Sequence, residues 1–393
     1  MAAKFLLFAF IMCSDVIAYK LTQVLIISRH NVRAPLTLGL EEVTPKIWPK
    51  WREEIGHLTS KGMLLESYMG EYFSQWFMKE GLFNKSCPQE ESVYIYANAV
   101  QRTRETARIF SENAFKNCNL KVNFKANVTT DPVFHPVILN DNETFKDIAV
   151  NEMQKKLDEL QLRDAYLKLN KILSFNESKI CKEKSFCNLA EAKDRVLFKI
   201  GEEPDIYGPL HIGNVVVDNF LMSYYSGMPL KNIGWGEIQP EMWESLTRIS
   251  KENQNVRFNT TSLGQHVAKP LLKVMHEVLT NDKLKLTLLV GHDSNINSII
   301  AAIGFKPFDL PNHFERTPVG GKLVFQKLYD KILNRYLLKI NYVYQSTEQT
   351  RHGMKLSLKS PPKSVQLVLK TCSLDKSDLC PWDDFIKIME KFK

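Results

Sequence analysis

An apolar run, Val24-Leu25-Ile26-Ile27, breaks off at Ser28-Arg29-His30-Asn31-Val32-Arg33-Ala34-Pro35, and this junction constrains the chain more than any other stretch. Consecutive apolar residues rich in β-branching suit a short strand buried on both faces. Such a strand delivers the residues after it to the edge of a sheet, where ligands collect. Here those residues place one histidine between two arginines. Arginine offers a planar fork of donors that matches phosphate and stays charged at any working pH. A histidine held between two guanidiniums is disfavoured as a cation. As a neutral imidazole it can act as a nucleophile toward phosphorus. The stretch therefore predicts an oxyanion-binding loop with His30 at its centre; a basic turn with an incidental histidine is the plain alternative.

A second run, Leu286-Thr287-Leu288-Leu289-Val290, ends in Gly291-His292-Asp293. It also reads as a buried strand. If the two strands are parallel neighbours, His30 and Asp293 meet in one crevice beyond their C-terminal ends. Ser294 is placed to cap a helix from Asn295 to Ile303.

Arg29-His30-x-x-Arg33-x-Pro35 with a late His292-Asp293 resembles the histidine acid phosphatases, the acid phosphatase and phytase branch of the histidine phosphatase superfamily. Leu58-Thr59-x-x-Gly62 resembles the helix start after that family's signature loop, and Ala97-Asn98-Ala99-Val100-Gln101-Arg102-Thr103 the segment with its third phosphate-binding arginine. Glu315-Arg316-Thr317-Pro318-x-Gly320-Gly321-Lys322 and Cys380-Pro381-x-x-x-Phe385 resemble its C-terminal part, closest to insect secreted or venom members. The resemblance implies an α/β fold: a central, mostly parallel sheet flanked by helices, with an inserted, mainly helical cap. It implies hydrolysis of phosphate monoesters, small molecules or phosphoproteins, with no cofactor and no metal. His30 would be the nucleophile and Asp293 the proton donor. Arg29, Arg33, Arg102 and His292 would bind the phosphate. Asn31 departs from the pattern, because the family usually has glycine there. Asparagine tolerates a left-handed backbone, but its side chain is expected to crowd the nucleophile and weaken or redirect activity.

Residues 1–18 read as a signal peptide, with Lys4, an apolar core from Phe5 to Met12, and small residues before Tyr19. No later stretch is long and apolar enough for a transmembrane helix. A secreted protein without a membrane anchor is expected, and a homodimer is compatible with the sequence. The net charge of +8, from 52 basic and 44 acidic residues, is dispersed. It argues against a nucleic-acid surface. Of seven cysteines, Cys13 falls in the signal segment, leaving six. Local spacing favours Cys87–Cys118, Cys181–Cys187 and Cys372–Cys380 in an oxidising compartment, and the last pair also fits the family's C-terminal pattern. Sequons at Asn84, Asn127, Asn142, Asn176 and Asn259 predict surface glycans.

Helical spacing marks Thr59 to Lys79, with Thr59 or Ser60 as cap. A strand is expected over Val93–Tyr96, then a helix to about Phe115. Arg102, Arg104 and Arg108 share that helix, and only the resemblance singles out Arg102. Strand patterns fade between residues 131 and 260, where Val150–Leu173 and Glu191–Leu221 read as helices broken near Gly201-Pro204, Gly208-Pro209 and Gly227-Pro229. Residues 19–130 and 261–393 would then form the α/β core and 131–260 the cap. In the core, Leu263–Leu279 reads as a helix, and Leu323–Phe325, Leu337–Val343 and Val365–Leu369 as strands, the last of them antiparallel. The other histidines read as surface or satisfied core groups, His135 excepted, since its segment faintly resembles one near the family's site. Three rivals remain: a secreted glycoprotein of this fold that works by binding, a phytase-like inositol-phosphate phosphatase, and, less well supported, a phosphoglycerate mutase.

Overall fold

The computed structural model describes residues 19–36, 39–84, 86–126, 128, 131–375 and 377–393; the expected signal peptide and Asn127 lie outside the described residues. The first strand, β1 (Tyr19–Arg29), runs through the middle of the main sheet. Helix α1 (Ser60–Lys79) follows, then strand β2 (Val93–Ala97), helix α2 (Gln101–Ala114) and the short strand β3 (Val122–Asn123). Thr59 caps α1, its hydroxyl accepting from the Gly62 amide at 3.0 Å. Gly62 is required there, because a Cβ would collide with the Val32 carbonyl oxygen. The first turn of α1 therefore lies directly on the loop that follows β1.

Between β3 and the next strand of the main sheet the chain forms mostly helices: α3 (Glu143–Asp158), α4 (Arg163–Leu173), α5 (Lys179–Lys184), then a hairpin of β4 (Arg195–Leu197) and β5 (Asp205–Tyr207), then α6 (Pro209–Tyr225), α7 (Met242–Phe258) and α8 (Thr261–Leu279). Two expectations are corrected here. The helix read over Val150–Leu173 is two helices, the first beginning at Glu143 under an Asn142 cap. The segment Glu191–Leu221 opens as a hairpin, and helix begins only at Pro209. Pro209 can start a helix because its missing N–H is unneeded at the first position, and Gly208 before it takes φ +137°. Met153, Leu169, Phe220 and Leu246 are fully buried in a core shared by α3, α4, α6 and α7.

The chain returns to the sheet in β6 (Leu286–Gly291), α9 (Asp293–Ile303), β7 (Lys322–Asp330), β8 (Arg335–Tyr344), α10 (Thr347–His352), β9 (Lys363–Leu367), β10 (Cys380–Pro381) and α11 (Trp382–Glu390). Strand order is β10-β8-β7-β1-β6-β2-β3, with β9 also on β8. The β1, β6, β2 and β3 pairings are parallel, and β7 to β10 extend the sheet antiparallel. This is an α/β fold with a central sheet flanked by helices. Side chains alternate across β1, as strand geometry demands. Leu25 and Ile27 pack toward α8, α9 and α11, while Val24 and Ile26 pack toward α1 and α2. Both faces are covered, so the run can be apolar throughout. Each such side chain contributes about 1.5–3 kcal/mol of burial. The disulfides Cys87–Cys118, Cys181–Cys187 and Cys372–Cys380 are formed.

Candidate active site

Arg29 pairs in register with Gly291, and Ala97 with Val290. Strands β1, β6 and β2 therefore end side by side, and His30, His292 and Asn98 follow at one edge. The His30 amide donates to the Gly291 carbonyl at 3.0 Å. The His30 ring is buried, and its Nδ1 lies 2.8 Å from the Asn31 carbonyl oxygen. A carbonyl can only accept, so Nδ1 carries the proton and Nε2 keeps a free lone pair. Burial, then Arg102, Arg29, Arg33 and His292, holds the His30 pKa well below the ordinary histidine value. The ring therefore stays neutral below the pH at which a free histidine charges.

The cleft outside this edge has a volume of about 340 Å³. Arg29, His30, Arg33, Arg102, His292 and Asp293 all line it. Arg29 is 2% exposed and is held by Glu315 at 2.6 Å, the Thr317 carbonyl at 2.6 Å and Asp293 at 3.2 Å. Burial opposes its charge, but Asp293 and Glu315 more than offset that, and its pKa is raised. Arg33 is gripped by both oxygens of Asp218 at 3.1 Å. Burial, with Arg33 adding repulsion, brings the Arg102 pKa down to about 10, still a cation at working pH. Asn98 Oδ1 accepts from the Ala99 amide at 2.6 Å, so its amide nitrogen faces His292 Nε2 at 2.7 Å and holds that ring at the strand ends. Asp293 tops β6, with Oδ1 accepting from the Ser294 amide at 2.9 Å. Burial raises its pKa, but Arg29, His292 and Arg33 together leave it lowered, so Asp293 is a carboxylate in the open cleft at neutral pH.

Two sequence expectations fail at this edge. Ser294 is not the cap of α9. The helix starts at Asp293, and the Asn295 side chain accepts from the His292 amide at 2.8 Å. Asn31 neither adopts a positive φ nor turns its side chain toward the His30 ring. Its side chain is completely buried and turned toward Glu66, to which it donates at 2.8 Å. His135 does stand at the cleft, its ring 6.3 Å from that of His292.

Comparison with known proteins agrees with this geometry. A family profile described as histidine phosphatase superfamily (branch 2) matches residues 20–197. The glucose-1-phosphatase of Salmonella typhimurium is 43% identical over 380 residues, covering 94% of this chain and 92% of its own. The chain belongs to branch 2 of the histidine phosphatase superfamily. It is a histidine-phosphatase-type phosphatase. The phytase AppA of Escherichia coli is 29% identical over 399 residues, covering 95% of this chain and 92% of its own. The apo structure of Hafnia alvei phytase superposes with a TM-score of 0.88 at 27% identity, covering 96% of this chain and 97% of that one.

Several residues at this branch 2 cleft escaped sequence reasoning. Glu315 and Asn98 sit in segments that carried the family resemblance, so position after a strand could have flagged Asn98. Asp218 on α6 gave no signal, since one acid on an amphipathic helix reads as solvated. Glu203 and Asp205 line the cleft from the hairpin that was read as helix. They meet Arg257 at 3.3 Å and 3.4 Å, and the Pro204 carbonyl accepts from its Nε at 2.6 Å.

Proposed function

We propose that the chain hydrolyses phosphate monoesters through a phosphohistidine on His30. The observation that carries this reading is the His30 ring: Nδ1 is fixed on the Asn31 carbonyl, and Nε2 is free in a cleft with three arginines. In the first step Nε2 attacks phosphorus, the N–P bond forms and the P–O bond to the leaving group breaks. Asp293 in its protonated form gives that proton to the departing alkoxide. In the second step water attacks phosphorus, its proton passes to Asp293, and the N–P bond breaks. Arg29, Arg33, Arg102 and His292 stabilise the equatorial oxygens, where transition-state charge collects. Residues 131–260 would act as the cap, since the Asp218, Glu203 and Asp205 side chains reach the cleft from that segment.

A sugar monophosphate suits the outer cleft better than an inositol polyphosphate. Beyond the arginine cluster it presents Glu203 and Asp205, and Arg257 is already engaged by both. Several extra phosphates would meet those carboxylates; neutral hydroxyls could hydrogen-bond to them. The 43% identical relative bears the name glucose-1-phosphatase. A phytase-like reading keeps one observation in its favour, Lys251 and Arg316 on the same cleft. The binding-protein rival rested on Asn31 beside the nucleophile, and that side chain faces the interior. The finer likeness to insect venom members rests on sequence motifs alone, whereas the relatives named above are bacterial. Secretion, with glycans on the sequons, is part of the proposal. Three disulfides fit an oxidising compartment.

The test is turnover of an aryl phosphate across pH, with glucose 1-phosphate and inositol hexakisphosphate compared as competitors. His30→Ala should abolish turnover, and quenching without acid should trap phosphate on His30. Absence of turnover by the wild type at every pH, or label on another residue, contradicts the reading.

A further inference from the structure

We infer that Asn31, Glu66 and Lys322 form a buried positioning device for the nucleophile, acting through the backbone carbonyl that orients His30. The inference rests on the reading of His30 as nucleophile. Every polar group of Asn31 is committed. Its carbonyl oxygen accepts from His30 Nδ1 at 2.8 Å. Its amide N–H donates to Thr106 Oγ1 on α2 at 3.2 Å. Its side-chain Oδ1 accepts from the Val32 amide at 2.9 Å, and Nδ2 donates to Glu66 Oε2 on α1 at 2.8 Å. The other Glu66 oxygen, Oε1, accepts from Lys322 Nζ on β7 at 2.8 Å, and Nζ also donates to Ser28 Oγ at 2.8 Å.

Glu66 and Lys322 are both 0% exposed. Two charges withdrawn so far from water need close mutual geometry and further hydrogen bonds. Asn31 supplies the bond that Lys322 cannot reach. With glycine at position 31, Oε2 would lose its only polar partner among the described residues. The same network grips the signature loop on both sides of the nucleophile, at Ser28 and at Asn31. Gly320 is shaped to it: at φ +66° it passes so close that a Cβ would strike the Asn31 amide nitrogen, and its own N–H donates to the His30 carbonyl at 2.9 Å. Three elements, α1, α2 and β7, therefore hold the one peptide that selects the Nδ1–H form of His30 and aims Nε2 into the cleft.

The test uses Asn31→Ala, which removes the amide and leaves the ion pair. Displacing a reacting group by about 1 Å costs on the order of 10²-fold in rate. The expected result is a kcat lower by about 10- to 100-fold, with KM and inhibition by inorganic phosphate within about twofold of wild type. Nitrogen NMR of the imidazoles should show a single Nδ1–H form of His30 in the wild type and a mixture in the variant. If Asn31→Ala does not accumulate folded, the double variant Glu66→Gln/Lys322→Met decides. It removes both charges and strands neither, and it should show the same loss and the same mixed tautomer. Unchanged kcat with an unchanged tautomer, or KM and phosphate inhibition worsening as much as kcat, overturns the inference. A wild type without phosphatase activity that still shows the tautomer change would instead count against the proposed function.

Discussion

At the scale of single residues, the site separates two groups by opposite needs. The proposed reaction needs His30 neutral and Asp293 protonated at the same moment. Burial and the arginines keep His30 neutral well into the acid range. Arg29, His292 and Arg33 outweigh burial at Asp293 and lower its pKa, so its protonated fraction grows only as pH falls. The rate on an alkyl phosphate should therefore rise as pH drops below neutral, which a pH profile of kcat/KM checks. Asp293→Asn should lower turnover of an alkyl phosphate by about 10² to 10⁴-fold. An aryl phosphate, whose leaving group needs less protonation, should lose less in the phosphorylation step. Inhibition by inorganic phosphate should not weaken, because the substitution releases Arg29 from a carboxylate 3.2 Å away. Equal losses for both esters would mean that Asp293 orients Arg29 and transfers no proton.

At the scale of elements, α1 is fixed to the signature loop. The Val32 carbonyl accepts from the Thr59 amide at 2.9 Å and its hydroxyl at 3.0 Å, and Gly62 lets the helix approach. Gly62→Ala should cost roughly 1–3 kcal/mol, the usual range for overpacking. It should lower kcat too, since Val32 lies two residues from His30. Denaturant unfolding and steady-state kinetics on the same sample measure both, and unchanged values for both would contradict the packing argument. Strands β1 and β6 were legible because burial on both faces leaves an unbroken apolar run that ends on polar residues. The start of α6 was not, because Arg195–Tyr207 alternates too briefly to outweigh the helical pattern around it. Asp218 was illegible for another reason. It matters only through Arg33, and no local pattern announces a partner 185 residues away.

At the scale of the molecule, the acid conditions that the proposed mechanism favours charge buried histidines. Burial, with Arg29 adding repulsion, lowers the His313 pKa to about 3, while the same group in the unfolded chain binds a proton near pH 6.5. A base with a lowered folded pKa is protonated mainly in the unfolded state, so stability falls as pH drops below about 6.5. From pH 7 to pH 5 His313 alone accounts for about 2 kcal/mol, and His30 and His292 act in the same direction. Burial also holds the Asp194 carboxyl up at about 6, so it takes up a proton in the fold over the same interval and offsets part of that loss. Denaturant midpoints should still be lower at pH 5 than at pH 7, and a midpoint that rises at pH 5 would contradict the histidine argument. The place of β1 in the sheet has a further consequence. Its neighbours are β6 and β7, from the last third of the chain. At roughly 5–20 residues per second, a ribosome takes on the order of tens of seconds to deliver β6 after β1. Through that interval an apolar strand stands with both edges unpaired, the form in which strands add to other chains. The segment that bears His30 is made early and sheltered late. The yield of active enzyme therefore depends on whatever shields β1 until the far end of the chain arrives.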